Sequence, residues 1–184
     1  MIQPIYLYGS EVLRRKAQPA DLADKEGLKA LVQDLWDTLK VSDGCGLAAP
    51  QIGVSLRVFV VDGTGLVEEF PDLEGFRRVM INPVVAEESA SHCEYDEGCL
   101  SVPGIYASVR RPEKITMEYY DENLELRREE FGGFACRMIQ HEFSHLDGIL
   151  FTDLVVPIRR KMLAGKLAGI AKGKVRTQYK SKIR

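Results

Sequence analysis

The sequence predicts an α+β fold, with small antiparallel or mixed sheets packed around a central buried helix and a further helix at the C-terminus. Three observations lead to this prediction: an amphipathic helical pattern near the N-terminus, several short β-type runs, and a long apolar segment around residue 140. Strands and helices segregate without regular βαβ alternation, which is typical of α+β folds. A chain of 184 residues is expected to form one domain.

The first predicted helix covers residues 28–39. Apolar residues recur there at intervals of three and four, which is the spacing of one helix face. This face consists of Leu28, Leu31, Val32, Leu35, Trp36 and Leu39. Asp24 precedes the pattern and is the predicted N-cap.

The predicted strands are short. LRVFVVD (56–62) and VMINPVV (79–85) have β-type composition, and the intervening residues 63–75 form a predicted loop because they contain turn residues and lack periodicity. KITMEYYD and LELRREE flank a polar Asp-Glu-Asn turn and predict a hairpin. The polar stretch that contains His92 and Cys93 is predicted to be a surface turn.

The apolar segment FACRMIQHEFSHL (134–146) predicts a buried helix. His141 and His145 are four residues apart, so their side chains project from one face. Two imidazoles aimed at one point indicate a metal site, and Glu142 can act as a general base beside it without being a ligand. Zinc in such a site lowers the pKa of a bound water to about 7. An unpaired carboxylate in an apolar helix would be costly, which favours this interpretation over a chance HExxH match.

The third ligand must come from upstream of this helix. Many HExxH proteases take a Glu or a His from further along the chain, but only Asp147 and Asp153 are acidic after His145, and no histidine follows it. The upstream candidates are His92, Cys93, Cys99, Cys136 and many carboxylates. Cys136 is expected in the core, whereas Cys99 lies in the glycine-flanked EGCLSVPG, which can bring a thiolate close to a metal.

Three ordered motifs resemble those of the peptide deformylase family: GCGLAAPQ (44–51), EGCLS (97–101) and QHEFSHLDG (140–148). VLRRKA near the N-terminus and FTDLV at 151–155 are also similar. The resemblance implies removal of formate from formyl-methionyl peptides. It also implies that Cys99 joins His141 and His145 as the metal ligands, with ferrous iron as the natural ion and zinc, nickel or cobalt able to substitute.

The resemblance further implies the catalytic roles. Glu142 is the general base and then the acid that protonates the leaving amine. The side-chain amide of Gln51 and the backbone N–H of Leu100 donate to the oxyanion. Losing one such donor typically costs roughly 100- to 1,000-fold in rate.

The same resemblance implies the substrate contacts. The backbone around Gly46 pairs with an extended peptide, in the manner of strand addition. Cys45, Met138 and Leu100 are candidates for the wall of the methionine pocket.

Two positions depart from the family pattern. Ser144 stands where an Asp is usual, beside the histidine pair, where a carboxylate could contact Arg110 or Arg111. The other departure is Cys45, at a position that is more often aliphatic; close to iron, its thiol is open to oxidation.

Charge divides the chain into an acidic body and a basic tail. Ten of the 25 Lys and Arg residues lie in 159–184, whereas all 27 acidic residues precede residue 154. We predict a catalytic domain at 1–157 and a basic helix and tail at 158–184 within the same single domain. The predicted helix covers 158–172, docked through Ile158, Met162, Leu163, Leu167 and Ile170, with Gly165, Gly169 and Gly173 permitting close packing. A basic tail also suggests binding to the ribosome.

Other expectations concern location and alternative functions. The N-terminus lacks a signal-peptide pattern and the four cysteines suggest reduced thiols. We therefore expect a cytoplasmic monomer that does not associate with membranes. The alternatives are an HExxH zinc peptidase and a non-enzymatic relic that functions through its tail.

Overall fold

The computed structural model describes residues 1–183. Its helices are α1 (Lys25–Lys40), α2 (Gly133–Leu146), the short α3 (Phe151–Leu154) and α4 (Pro157–Ala171). Its strands are β1 (Ile5–Tyr6), β2 (Gly46–Ala48), β3 (Val58–Asp62), β4 (Arg77–Glu88), β5 (His92–Cys99), β6 (Val102–Pro112), β7 (Ile115–Tyr120), β8 (Leu126–Phe131) and β9 (Ser181–Lys182). The α+β prediction is confirmed.

Helix α1 matches the first predicted helix. The Asp24 carboxylate accepts a hydrogen bond from the Gly27 N–H at 3.0 Å, so Asp24 is the N-cap. The helix buries Leu28, Leu35 and Leu39 against the main sheet, as the periodicity predicts.

The main sheet contains five antiparallel strands in the order β2-β3-β4-β7-β8. β3 and β4 correspond to the predicted strands, and β7 and β8 form the predicted hairpin. β4 is longer than predicted and has a register shift beside Asn82. Asn82 adopts a positive φ of 50°, and its side chain bonds the N–H and carbonyl of Ala20. β2 lies at one edge of this sheet.

Strands β5 and β6 form a separate antiparallel pair. The predicted surface turn at His92 and Cys93 was therefore wrong, because both residues belong to β5. His92, Glu94 and Asp96 face solvent, whereas Glu97 is buried. The polar composition of β5 is typical of a surface turn, but its inward-facing carboxylate is neutralised by neighbouring cations and can therefore be buried in a strand.

Helix α2 is the central buried helix, as predicted. It packs against β2 and β3 and contributes Ala135, Cys136, Met138, Ile139 and Leu146 to the apolar core. The helix also buries polar residues, among them Arg137, Glu142, Ser144 and His145. Glu142 and His145 are therefore buried on a rigid element, and His141 is half-buried on the same helix.

Helix α4 confirms the predicted C-terminal helix but corrects its buried face. Leu163, Leu167 and Ile170 are buried, whereas Ile158 and Met162 are 72% and 68% exposed. Among the described residues, a Cβ atom on Gly165 or Gly169 would meet nothing within 4 Å, and one on Gly173 would meet only the Ile183 Cδ1, at 3.8 Å. The prediction that these glycines permit close packing was therefore wrong, because no neighbour packs closely against them.

Residues 172–183 turn back towards the body of the protein after α4. Gly173 ends the helix with a φ of 74°, and β9 then pairs in parallel with β1. The last residue of the predicted tail, Arg184, lies outside the described residues. Nowhere in residues 1–183 is there a helix long and apolar enough to cross a membrane.

Candidate metal centre

Cys99, His141 and His145 converge at one point. Cys99 ends β5, and the two histidines are one turn apart on α2. One potential ligand atom from each residue lies within 4.8 Å of the other two. The Cys99 Sγ is 3.3 Å from the His145 Nε2. One thiolate and two imidazoles at these separations fit a tetrahedral metal ion with one position left for another ligand.

Glu97 orients the first histidine. Its Oε1 lies 2.7 Å from the Nδ1 of His141, so the Nε2 of that ring is the nitrogen available to the site. A carboxylate on the far nitrogen of a ligating histidine fixes the ring and increases its basicity. In the metal-free protein, burial lowers the pKa of His141, but hydrogen bonds with Cys99 and Glu97 outweigh burial and raise that pKa to about 10.

Two buried arginines neutralise Glu97. Arg111 donates to both carboxylate oxygens, at 2.8 and 3.0 Å, and Arg137 donates at 2.8 Å. Burial alone would raise the pKa of Glu97, but hydrogen bonds with His141 and Arg111 hold it well below its usual range. This network was not predicted from the sequence. The alternation of exposed and inward residues in β5 was the available signal, since it places Glu97 on the inner face.

Ser144 joins this network through Arg111. Its Oγ accepts a hydrogen bond from the Arg111 Nη1 at 2.9 Å and donates to the Gln140 carbonyl at 2.9 Å. Of the two arginines predicted to contact residue 144, Arg111 therefore makes the hydrogen bond, whereas Arg110 is exposed. The cluster has two buried guanidinium groups and one carboxylate, so a second anion at position 144 would have a cation beside it.

Glu142 is buried and close to the edge strand. A Cβ atom placed on Gly46 would lie only 2.5 Å from its Oε1, and its Oε2 is buried without a hydrogen-bond partner. Burial raises the pKa of Glu142 to about 7. A carboxyl that titrates near neutral pH can both accept and return a proton.

Gln51 is fully buried beside the ligand cysteine. Its Oε1 accepts a hydrogen bond from the Ala48 N–H at 2.8 Å. The opposite end of the amide, Nε2, is therefore directed towards the site, 3.6 Å from the Cys99 Sγ and 3.1 Å from the Ser101 Oγ. The side chain has one defined orientation, with its donor group towards the metal centre.

These groups open into a cleft of about 1270 Å³. The predicted substrate residues Cys45, Gly46, Leu100 and Met138 all line it, together with Gln51, Cys99, His141 and Glu142. Burial raises the pKa of Cys45 to about 12, so its thiol stays protonated. The cleft is also lined by the returning tail segment at 176–179, which the sequence analysis did not anticipate.

The other candidate ligands lie in different surroundings. The Nδ1 of His92 is 3.0 Å from the Ala90 carbonyl oxygen on the surface. Cys93 contacts Arg137, and Cys136 is buried beside Gln140. All four cysteines are free thiols.

Comparison with known proteins agrees with this geometry. A family model described as polypeptide deformylase matches residues 2–161. The peptide deformylase of Christiangramia forsetii is 41% identical over 190 aligned residues, covering all of this chain and 96% of the relative. That of Cytophaga hutchinsonii is 39% identical over 183 aligned residues, covering all of this chain and 98% of the relative.

Solved structures show the same fold. The Thermus thermophilus peptide deformylase has a TM-score of 0.83 and 40% identity, covering 94% of this chain and 99% of that one. The Legionella pneumophila enzyme has a TM-score of 0.82 and 36% identity, covering 96% and 99%. The family model matches residues 2–161, and these relatives and structures match 94–100% of the chain: this chain belongs to the peptide deformylase family.

Proposed function

We propose that this chain is a metal-dependent hydrolase that removes the formyl group from the N-terminal formyl-methionine of newly made polypeptides. The convergence of Cys99 with His141 and His145 beside the buried Glu142 is the observation that carries the proposal. The upstream cysteine separates this site from HExxH proteases whose third ligand lies downstream. Family membership likewise favours deformylation over the zinc-peptidase alternative.

The proposed ligands are Cys99, His141 and His145. When bound, the metal supplies a Lewis acid that acidifies water and polarises the formyl oxygen. The family resemblance favours Fe²⁺, and Zn²⁺, Ni²⁺ or Co²⁺ can substitute because sulfur and imidazole ligands suit several of these ions. Glu97 supports the site by holding the His141 ring.

Glu142 is the proposed general base and acid. Its carboxylate accepts a proton from the attacking water and then delivers it to the leaving amine. The high pKa caused by burial suits both steps, because the group exchanges protons near neutral pH.

Gln51 and Leu100 are the proposed oxyanion donors. The Gln51 amide is fixed by its bond from Ala48, with the Nε2 directed towards the reacting centre. The Leu100 N–H follows the ligand cysteine directly in the chain. Fixed donors of this kind stabilise developing charge without a reorganisation cost.

The edge strand β2 is the proposed substrate-binding strand. Its free edge borders the cleft, so an extended peptide can pair with the backbone at Gly46. Cys45, Met138 and Leu100 are the proposed walls for the methionine side chain.

Metal analysis of cysteine variants tests the ligand assignment. Cys99→Ala should lose the metal and the activity, whereas Cys93→Ala and Cys136→Ala, the matched controls, should retain metal. Glu142→Ala should retain metal without turnover. Metal loss in Cys93→Ala together with retention in Cys99→Ala would show that the assignment is wrong.

We also propose that the exposed face of α4 contacts the ribosome. Ile158, Met162, Gly165 and Gly169 share this face, and Lys161 and Lys166 are exposed on the same helix. A cationic surface on an acidic body is attracted to phosphate-rich RNA. Residues 158–184 are proposed to belong to the same domain as 1–157, because α4 buries Leu163, Leu167 and Ile170 in its core.

Charge reversal tests this contact without removing the buried face of α4. Lys161→Glu/Lys166→Glu should weaken ribosome co-sedimentation, with a steep salt dependence for the unmodified protein. Lys25→Glu/Lys29→Glu, which changes the same charge on exposed residues of α1, is the control. Equal co-sedimentation of both variants at low salt would end the proposal. Cytoplasmic location and a monomeric state stay predictions.

A further inference from the structure

The returning C-terminal segment reaches the loop that carries the ligand cysteine. The Tyr179 hydroxyl donates a hydrogen bond to the Leu100 carbonyl at 2.5 Å. Tyr179 also packs against the same apolar cluster as Leu100. A residue near the end of the chain therefore touches the residue directly after Cys99.

The segment that carries Tyr179 is anchored to β1 directly after this residue. The Ile5 and Leu7 N–H groups bond the carbonyls of Lys180 and Lys182, each at 2.9 Å. Within the segment, the Thr177 hydroxyl donates to the Tyr179 carbonyl at 2.7 Å and closes a local turn. The pairing with β1 and the local turn hold the Tyr179 backbone in place, so its hydroxyl has a defined position.

The loop at 99–101 is held by a small set of contacts from different parts of the chain. Gln51 donates to the Ser101 side chain, and the Tyr8 N–H donates to the Ser101 carbonyl at 2.7 Å. The Leu100 side chain lies so close to Gly44 that a Cβ atom there would be 2.7 Å from its Cδ1. The Tyr179 hydroxyl adds the hydrogen bond to the Leu100 backbone carbonyl.

We propose that Tyr179 is a positioning residue for deformylation, because its hydroxyl fixes the Leu100 backbone and so aims the Leu100 N–H at the reacting carbonyl. The inference rests on the proposed function of Leu100 as an oxyanion donor. Burial raises the pKa of Tyr179 to about 12, so the phenol remains protonated and donates at neutral pH. Displacement of a catalytic group by about 1 Å can cost on the order of 100-fold in rate.

Tyr179→Phe removes the hydroxyl and keeps the ring that packs in the core. Its kcat on formyl-Met-Ala-Ser should fall about tenfold or more, with KM and metal content close to those of the unmodified protein. Tyr120→Phe makes the same chemical change in a tyrosine of the same apolar cluster, outside the cleft, and should leave kcat unchanged. Tyr179→Phe with kcat within about twofold of the unmodified value would overturn the proposal.

Hydrogen exchange provides a readout that does not depend on deformylase activity. In the metal-free protein, amides at 99–102 should exchange at least about fivefold faster in Tyr179→Phe than in Tyr120→Phe. Unchanged exchange would overturn the positioning role even if kcat fell. If the unmodified protein released no formate, the proposed function would fail, whereas the exchange result would still decide whether Tyr179 holds the loop.

Discussion

Gly46 leaves space for the carboxylate of Glu142: a Cβ atom on this residue would lie 2.5 Å from the Oε1 and 2.8 Å from the Cδ of Glu142. Such distances are closer than real Cβ contacts, so only glycine allows the edge strand β2 and the buried carboxylate to approach this closely. The same residue thus has two proposed roles, pairing with the substrate backbone and admitting the general base.

Gly46→Ala should displace Glu142 while leaving the three ligands in place. Because a positioned base contributes roughly 100- to 10,000-fold, kcat should fall by at least about 100-fold with metal content retained. Gly169→Ala is the matched control, since its Cβ would enter open space on α4. That control should keep full turnover and gain roughly 0.5–1 kcal/mol of stability. Full turnover in Gly46→Ala would contradict the proposed approach of Glu142.

Glu97→Gln should weaken both metal binding and folding. The amide keeps the size of the side chain but removes the charge that neutralises Arg111 and Arg137 and orients His141. Metal affinity should fall roughly 10- to 100-fold, and breaking a buried ion pair costs roughly 3–5 kcal/mol. Metal titration and chemical unfolding measure the two effects. Glu94→Gln, an exposed change on the same strand, should alter neither.

Ser144→Asp restores the residue usual in the family. The new carboxylate would face the Arg111 guanidinium, whose Nη1 is now 2.9 Å from the serine Oγ. Because residue 144 contacts Arg111 and is not a metal ligand, turnover should change by less than about tenfold, or about 1.4 kcal/mol. Steady-state kinetics with formyl-Met-Ala-Ser checks this. A much larger change in either direction would mean that position 144 tunes the metal strongly.

The stability of the metal-free protein should depend on the titration of Glu142. Its folded pKa of about 7 exceeds the ordinary 4.5, so its contribution to stability is fully present below pH 4.5 and is lost as the pH rises through 7. Glu142→Gln cannot titrate. The Tm of Glu142→Gln minus the Tm of the unmodified protein should therefore be larger at about pH 8 than at about pH 5. Thermal unfolding at both pH values measures this, and an equal Tm difference would contradict the buried-carboxyl account.

Hydrophobic spacing predicted α1, the long apolar segment predicted α2, and the polar turn between two β-type runs predicted the β7–β8 hairpin. It failed for β5, because its inward-facing Glu97 is paired with Arg111 on β6 and with Arg137 on α2. The polar composition of β5 is typical of an exposed segment, although the strand buries a carboxylate that is paired with two arginines. The residue types at 141, 142 and 145 indicated the chemistry of the site, but the third ligand followed from the resemblance alone.

The C-terminal segment was the least predictable part of the fold. The apolar pattern of α4 contains two possible faces, and only tertiary packing selects Leu163, Leu167 and Ile170 over Ile158 and Met162. The return of residues 172–183 depends on a parallel pairing of two residues per strand and on the long-range contact of Tyr179 with Leu100. Such short and distant contacts leave no periodic signal in the sequence.

Formate release tests the central claim most directly. The anaerobically purified protein, with its metal content measured, should release formate from formyl-Met-Ala-Ser and leave Met-Ala-Ser intact. The unformylated twin should remain uncleaved under the same conditions. Cleavage of the unformylated peptide, with no formate from the formylated one, would contradict the account.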